Sequence, residues 1–182
     1  MKTAQHVIAC ARVPSPLGPL LLAASEQGLC GLWFEEQKHL PPWLPTEWDD
    51  TTPRHPLLQA AAEQLDGYFS GTRAGFDLPL DLRHGTPFQC AVWRAMVDIP
   101  VRGSLSYGAL ARQIGRPAAV RAVGAAVGRN PVGIIVPCHR VMGADGSLTG
   151  YTGGLWRKTA LLRLEQGAHA QVPAGTTNDL FS

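Results

Sequence analysis

Short apolar runs, separated by turn sequences rich in glycine and proline, fill the first part of the chain. This spacing is typical of β-hairpins, because glycine and proline interrupt extended structure where the chain reverses. We therefore predict three short strands, at 7–11, 20–23 and 29–34. The region 35–55 is rich in Pro, Trp and acidic residues and predicts an irregular surface connection, with Trp43 and Trp48 packing it onto the sheet.

The apolar pattern then changes to the period of a helix. Between Pro56 and Gly71 the apolar residues form one stripe at helical spacing, which predicts a helix. The stripe consists of Leu58, Ala62, Leu65 and Phe69. An extended piece follows at 76–82, and because it contains Pro79 it is predicted to be an edge strand or a linker between domains. These elements predict a small α/β domain over residues 1–83, with a mainly antiparallel sheet and a helix.

From Thr86 onward the apolar spacing is helical almost throughout. Thr86 suits the N-cap of a helix and Pro87 its first position, where a missing backbone N–H has no consequence, and this helix is predicted to end before Pro100. Ser106 suits the N-cap of a second helix that runs to Ile114. The second half of the chain, residues 84–166, is therefore predicted to be mainly α-helical.

A tight turn at 115–116 leads into a third helix, predicted to open at Pro117 and to run to about Val127. Helix, short turn, helix is the arrangement of many DNA-reading units. Alanine and glycine dominate this last helix, and each Gly weakens a helix by up to about 1 kcal/mol relative to Ala. That composition indicates close approach to another helix or to a nucleic-acid groove. Arg121 on it is either an ordinary solvated arginine or a side chain that enters a duplex where a base has been removed.

The β-branched run 132–136 predicts a buried strand that ends beside Cys138 and His139. A rigidly held thiol next to an imidazole suits nucleophilic sulfur chemistry. Because adjacent residues on a strand point to opposite faces, we expect a backbone turn at Pro137 or a bridging water to connect the two groups. A final helix is predicted at about 155–165.

Charge divides the chain into two unlike halves. Residues 1–86 carry six Lys/Arg and ten Asp/Glu, a net charge of −4, whereas residues 87–182 carry ten Lys/Arg and four Asp/Glu, a net charge of +6. Nine of the ten basic residues in the second half are arginine, the side chain best suited to forked contacts with phosphate. The charge favours a nucleic-acid partner for the second half, the alternative being a basic surface that only solubilises it.

The remaining composition restricts the compartment and the metal content. No stretch approaches the roughly 18–20 apolar residues of a membrane span, and no apolar signal segment follows Lys2, so we expect a cytoplasmic protein without a membrane partner. The four cysteines lie far apart, which argues against a disulfide framework. The spacing of His6, Cys10, Cys30 and His39 fits no standard zinc pattern, and small core residues with exposed histidines are the simpler interpretation.

A series of motifs in residues 86–166 resembles the catalytic domain of the O6-alkylguanine-DNA alkyltransferases, the methylated-DNA–cysteine methyltransferases. The motifs are, in order, Phe88-Gln89 with Val92-Trp93, Ser106-Tyr107-Gly108, Arg121-Ala122-Val123-Gly124, Arg129-Asn130-Pro131, Pro137-Cys138-His139-Arg140-Val141, Tyr151 with Gly153-Gly154, and Glu165. The Pro-Cys-His-Arg core is highly specific in this context. Segments 15–18 and 26–29 are similar too, so the resemblance covers nearly the whole chain except a predicted flexible tail at 167–182.

The resemblance implies a ribonuclease H-like α/β domain followed by a winged-helix-like DNA-binding domain. It implies repair by irreversible transfer of an alkyl group from O6-alkylguanine, or from O4-alkylthymine, to the protein's own cysteine, once per molecule, with the nucleotide flipped into a pocket. The expected partner is double-stranded DNA carrying alkylated guanine, bound by a monomer, with cooperative binding left open. No cofactor is implied, and no zinc, since Ser25 stands where zinc-binding members carry cysteine.

The resemblance also implies catalytic roles for five residues. Cys138 is expected to accept the alkyl group, His139 to act as base through a water, and Glu165 to orient His139. That carboxylate is further expected to stabilise the imidazolium and to lower the pKa of the thiol. Asn130 is expected to brace the turn before the active-site strand, and Tyr107 to aid nucleotide rotation and to serve the leaving oxygen.

Two further sets of residues are implied. The base pocket is expected to be lined by Val136, Pro137, Val141, Tyr151, Thr152 and Gly153. Arg121 is expected to fill the vacated base stack. The other residues expected to contact DNA are Ser106, Ala122, Gly124, Arg94, Arg116 and Arg129.

Three other functions compete with this interpretation. A non-catalytic lesion-binding protein of the alkyltransferase-like class would lack the acceptor cysteine, whereas Cys138 is present here. A helix-turn-helix regulator would leave Cys138 as a buried residue without chemistry. A cysteine hydrolase would use Cys138 with His139 but would not need the slim helix that carries Arg121.

Overall fold

A computed structural model describes residues 6–48 and 54–167 of the chain. The elements are, in order, β1 (Val7–Val13), β2 (Leu20–Ser25), β3 (Gly28–Phe34), α1 (Pro56–Phe69), α2 (Pro87–Val97), β4 (Leu105–Ser106), α3 (Tyr107–Gln113), α4 (Val120–Gly128), a 3-10 helix (Cys138–Arg140), β5 (Val141–Met142) and α5 (Leu155–Glu165). Within these described ranges no helix has the length and apolar character needed to cross a bilayer. The tail predicted at 167–182 lies, apart from Gly167, outside the described residues.

The first three strands form an antiparallel sheet in the order β1-β2-β3, as the sequence predicts. Its central strand is fully buried, and Leu22 pairs with Ala11 on one side and Leu32 on the other. The extended segment at 76–82 adds only a single parallel bridge, between Leu80 and Leu29. That segment therefore covers the edge of the sheet without becoming a full strand, which agrees with its proline content.

Helix α1 covers one face of this sheet, and the loop after β3 that carries Trp43 and Trp48, here called the tryptophan loop, covers the other. The buried positions of α1 are Leu58, Ala61, Leu65, Tyr68 and Phe69. On the opposite face, Trp43 and Trp48 pack against a small cluster that includes Trp33, with the rings of Trp33 and Trp43 meeting edge to face. Both faces of the sheet are thus buried, as the sequence predicts for the tryptophan loop.

The helices of the second half begin where their caps predict, with one exception. Thr86 and Gln89 form a reciprocal capping box at α2, and the Ser106 hydroxyl accepts a hydrogen bond from the backbone N–H of Ala109 at α3. Helix α4 begins at Val120 and not at the predicted Pro117. Residues 117–119 form a turn instead, in which the N–H of Ala119 donates to the carbonyl of Arg116 at 2.9 Å.

The predicted buried strand at 132–136 is wrong. Only Val132 makes a bridge, to Leu32 of the first sheet, and the residues after it form turns, with Ile134 at a φ of 67°. The side chain of Asn130 explains the difference, since it bonds the backbone at both ends of the segment, to the N–H of Val132 and the carbonyl of Val136. Cys138 consequently opens a one-turn 3-10 helix and does not end a strand.

A buried arginine joins the two halves. The Nε of Arg157 on α5 donates to the carbonyl of Leu17 at 2.8 Å, and its Nη1 donates to the carbonyl of Gly153 at 2.9 Å. The guanidinium carbon also lies 4.6 Å from the centre of the Phe34 ring. One side chain therefore ties a turn of the first half to the loop that precedes α5.

Candidate active site

Asn130 anchors the backbone that carries the thiol. Its Nδ2 donates to the carbonyl of Val136 at 2.7 Å and its Oδ1 accepts from the N–H of Val132 at 3.0 Å. The residue is buried, so both hydrogen bonds are shielded from competing water. The loop is therefore fixed at two backbone positions, Val132 and Val136, and the second of these is two residues before Cys138.

The imidazole next to this thiol is tied to a buried carboxylate. His139 Nε2 lies 2.7 Å from Oε1 of Glu165, the last residue of α5. Arg140 makes a bidentate contact with the same carboxylate, in which Nε donates to Oε2 at 3.0 Å and Nη2 donates to Oε1 at 2.8 Å. The hydroxyl of Tyr68 on α1 also donates to Oε1, at 2.9 Å. All four side chains are buried, so the charges of Arg140 and Glu165 compensate each other away from solvent.

These contacts fix the protonation of both groups. Burial alone raises the pKa of Glu165, but the hydrogen bonds from His139 and Arg140 outweigh it and bring the pKa to about 2. Burial lowers the pKa of His139, and the Glu165 contact opposes that shift only in part. A neutral imidazole that donates from Nε2 to a carboxylate carries its lone pair on Nδ1. His139 Nδ1 has no protein partner among the described residues, so it is available as a base.

The Cys138 thiol is held in its protonated form. Burial raises the pKa of Cys138, while a hydrogen bond from the Asn130 side chain and the positive charge of Lys158 act in the opposite direction. The Nζ of Lys158 is itself buried and donates to the carbonyls of Val141, at 2.6 Å, and Thr149, at 3.1 Å. The raised pKa of Cys138 and the lowered pKa of His139 both favour a thiol and a neutral imidazole before reaction, and the Glu165 contact acts in favour of the imidazolium that forms when His139 takes a proton.

Cys138 opens onto a small cavity of about 160 Å³. The cavity is lined by Tyr107, Gly124, Val127, Gly128, Cys138, Gly150, Tyr151 and Thr152. The volume lies below the roughly 300–1,000 Å³ of sites for drug-sized ligands, so it suits one planar ring system. Two tyrosines and three glycines are among the lining residues, and they suit a flat ring that approaches the backbone closely.

Four of the six predicted pocket residues do not line this cavity. Val136 and Val141 are fully buried in the main core, Pro137 is the buried residue before the 3-10 helix, and Gly153 packs against Phe34. Tyr151 and Thr152 do line the cavity, and the Thr152 hydroxyl donates to the carbonyl of Gly128 at 2.8 Å.

The residues predicted to contact DNA are spread over α2, the α3–α4 turn and α4. Arg121 and Ala122 are exposed on α4, while Gly124 lies on the same helix at the cavity. Ser106 is half-buried and its hydroxyl is engaged as the cap of α3. The other three predicted arginines are also exposed: Arg94 on α2, Arg116 in the turn, and Arg129 at the end of α4.

Sequence reasoning assigned no role to Tyr68, Arg140 or Lys158. Lys158 was detectable, because it lies at i−3 from Leu161 and i−7 from Glu165 on one face of the final helix. Arg140 was detectable too, because it directly follows His139 in the Pro-Cys-His-Arg motif. Tyr68 is separated from Glu165 by 97 residues and nothing in the sequence indicates that contact.

Two other thiols, Cys30 and Cys90, lie in different surroundings. A cavity of about 790 Å³ lies beside Trp33 and Trp43, but its cysteine is Cys30, whose pKa is raised by burial to about 12. Cys90 donates its S–H to the carbonyl of Leu82 and is buried. Within residues 6–48 and 54–167 no group of three or more His, Cys, Asp or Glu side chains is placed to hold a metal ion.

Comparison with known proteins agrees with this geometry. The ribonuclease-like domain of 6-O-methylguanine DNA methyltransferases matches residues 8–82, and the DNA-binding domain of the same proteins matches residues 87–167. The chain is 49% identical over 165 residues to a methylated-DNA–protein-cysteine methyltransferase of Mycobacterium tuberculosis, covering 91% of this chain and 94% of that one. It is 46% identical over 154 residues to the corresponding protein of Methanosarcina barkeri, covering 85% and 94%.

A solved structure of Mycobacterium tuberculosis OGT in complex with DNA superposes with a TM-score of 0.80 at 48% identity, covering 90% of this chain and 96% of that one. Both halves of the chain and the order of its domains therefore have direct counterparts. The chain belongs to the 6-O-methylguanine DNA methyltransferase family, whose members are DNA-repair enzymes that transfer alkyl groups.

Proposed function

We propose that this protein removes the alkyl group from O6-alkylguanine in double-stranded DNA and keeps it on Cys138. The observation that carries the proposal is the position of Cys138, in the wall of a cavity sized for one base and next to a histidine with a free Nδ1. We include O4-alkylthymine as a second substrate to be tested, because its ring is smaller than that of guanine.

The proposed reaction is an in-line displacement at the alkyl carbon. Cys138 gives its proton to His139 Nδ1, through a water, as its sulfur bonds to the carbon and the bond from that carbon to O6 breaks. Guanine leaves with the electron pair and takes a proton from the Tyr107 hydroxyl, which donates to the carbonyl of Thr149 in the free protein. Lys158 favours the developing thiolate, because its charge lowers the pKa of Cys138. The thioether product has no easy reversal, so each molecule acts once.

We propose that helix α4 faces the DNA. Arg121 and Ala122 are exposed on it, and Gly124 on the same helix borders the cavity. Extrusion of a nucleotide costs a few kcal/mol, and insertion of Arg121 into the vacated stack offsets part of that cost. Contacts of Arg94, Arg116 and Arg129 with phosphates would make binding largely independent of sequence and sensitive to salt.

We further propose that the protein acts as a monomer in the cytoplasm. All four cysteines are free, and one of them must stay reduced to react, which requires a reducing compartment. A monomer suffices for the proposed chemistry, because Cys138, His139 and Glu165 come together within one chain.

Mass spectrometry of the intact protein tests the proposal directly. After mixing with a duplex that carries one O6-methylguanine, we expect a gain of one methyl group that saturates at one equivalent and maps to Cys138. Cys138→Ala should lose transfer and keep lesion binding, and transfer that survives in this variant refutes the assignment. Tight lesion-selective binding without a mass gain in the unsubstituted protein indicates instead a lesion sensor.

Arg121→Ala tests the proposed extrusion. Because the arginine acts on the duplex and not on the chemistry, its loss should slow repair of a methylated duplex far more than reaction with free O6-methylguanine. Equal slowing on both substrates contradicts the role in extrusion.

A further inference from the structure

One hydrogen bond to the catalytic carboxylate comes from the other half of the molecule. Tyr68 lies on α1, and its hydroxyl donates to Oε1 of Glu165 at 2.9 Å across a separation of 97 residues. The side chain is buried, so the contact is shielded from water. The N-terminal half thus contacts the groups that surround the thiol, although it contributes no residue to the lining of the 160 Å³ cavity.

Oε1 of Glu165 is the oxygen that faces the base. It accepts from Tyr68, from His139 Nε2 at 2.7 Å and from Arg140 Nη2 at 2.8 Å, whereas Oε2 is bonded by Arg140 Nε at 3.0 Å. Arg140 fixes the plane of the carboxylate through both oxygens. Tyr68 adds a third donor on the oxygen that His139 uses, so it helps to determine where the imidazole is held and how strongly the carboxylate attracts its proton.

Tyr68 is a permanent donor in this network. Burial, together with the neighbouring Glu165 carboxylate, raises the pKa of Tyr68 well above its ordinary range, so the phenol stays protonated. Its ring has separate packing, edge to face with Phe69 at 5.4 Å between centroids and tilted on Phe76 at 5.1 Å. The ring of Tyr68 therefore packs in the core, while its hydroxyl bonds the Glu165 carboxylate.

We propose that Tyr68 is a positioning residue for alkyl transfer, whose hydroxyl holds Oε1 of Glu165 so that His139 presents Nδ1 to the thiol. The inference rests on the proposed function, in which His139 takes the proton of Cys138. It gives the N-terminal half a direct part in the reaction through one hydroxyl group.

Tyr68→Phe isolates that hydroxyl, because it keeps the ring and its aromatic contacts. We measure single-turnover transfer rates on a duplex with one O6-methylguanine, from about pH 4.5 to about pH 8, because burial lowers the pKa of His139 and its titration therefore falls at the acid end of this range. Loss of a partner that orients a metal-bound histidine costs roughly 10- to 100-fold, and by analogy we expect transfer to slow about tenfold.

The pH profile should shift as well. With one donor fewer, the Glu165 carboxylate attracts the imidazole proton more strongly, so the pKa of His139 rises and the rate reaches its plateau at higher pH. Two other charged groups act on His139, namely Arg140 and Lys158, and the substitution leaves both unchanged. A merely structural defect would reduce the reactive fraction without moving this profile.

Ser25→Ala is the matched control. Ser25 is also buried and donates a hydroxyl to a carboxylate, Asp81 Oδ2, at 2.7 Å, but that network does not include Glu165. We expect its transfer rate and pH profile to equal those of the unsubstituted protein. In a Glu165→Gln background, Tyr68→Phe should change the remaining rate by a factor close to one, because the group through which it acts is gone.

The outcomes separate this inference from the proposed function. If the unsubstituted protein transfers no methyl group, the proposed function fails. If it does, but Tyr68→Phe reacts at the same rate with the same pH profile, only the role of Tyr68 is refuted. Slowing without a shifted profile, or equal slowing in the Glu165→Gln background, also overturns it.

Discussion

Replacing Glu165 with Gln tests whether the buried carboxylate network contributes to stability as the structure indicates. The pKa of Glu165 is about 2 in the folded protein against an ordinary value of 4.5, a difference that corresponds to roughly 3 kcal/mol of folding free energy. Removing one partner of a buried ion pair costs a similar ~3–5 kcal/mol, since Arg140 would keep its charge without compensation. We expect Glu165→Gln to lower the free energy of unfolding by about 3 kcal/mol at neutral pH.

The pH dependence gives this prediction its sign. A carboxylate whose pKa is lowered by folding stabilises the protein above its unfolded pKa and loses that contribution as the pH falls through the folded value. The difference between the unsubstituted protein and Glu165→Gln should therefore shrink by roughly 1–2 kcal/mol between neutral pH and about pH 3.5. Urea denaturation at both pH values measures it, with the exposed Glu63→Gln as control. A difference that is equal at both pH values would refute the electrostatic explanation.

Two other substitutions test the cavity and the link between the halves. Gly124→Ala should raise the free energy of unfolding by about 0.5–1 kcal/mol, because alanine favours a helix more than glycine does. The added Cβ would lie 3.8 Å from the Tyr107 ring, which is an ordinary contact. The same methyl group should slow methyl transfer, because it narrows the cavity. Unchanged transfer in this variant would mean that the base does not approach α4 at this point. Arg157→Met should destabilise the protein by roughly 3 kcal/mol, since it leaves the carbonyls of Leu17 and Gly153 without their donor. Limited proteolysis should then cleave the 150–154 loop faster, and a loop that stays protected would contradict the role of Arg157.

Local signals in the sequence predicted the features that local chemistry determines. Thr86 and Ser106 cap the helices that follow them, because a hydroxyl within three residues is enough to satisfy an N-terminal N–H. The family resemblance similarly placed Glu165 against His139, and the structure has that contact. Motif and cap are both readable over a few residues.

The errors arose where a specific side-chain contact outweighed the preference of a segment for extended structure. The run 132–136 has the composition of a strand, but Asn130 takes up the backbone groups that a ladder would use, and Ile134 adopts a left-handed conformation. The family resemblance implied that Val136 and Val141 line the pocket. Both instead face the core, a choice that depends on the packing of the whole domain.

The position of Glu165 has a consequence for the order in which the molecule matures. Glu165 and Lys158 both belong to α5, and Glu165 follows His139 by 26 residues. On the ribosome, Cys138 is therefore synthesised before Lys158, whose charge favours the thiolate, and before Glu165, which bonds His139. In a nascent chain the proposed site for alkyl transfer stays incomplete until the last helix docks against the earlier-made Tyr68. On the proposed single-turnover mechanism, transfer from DNA is therefore confined to the finished molecule.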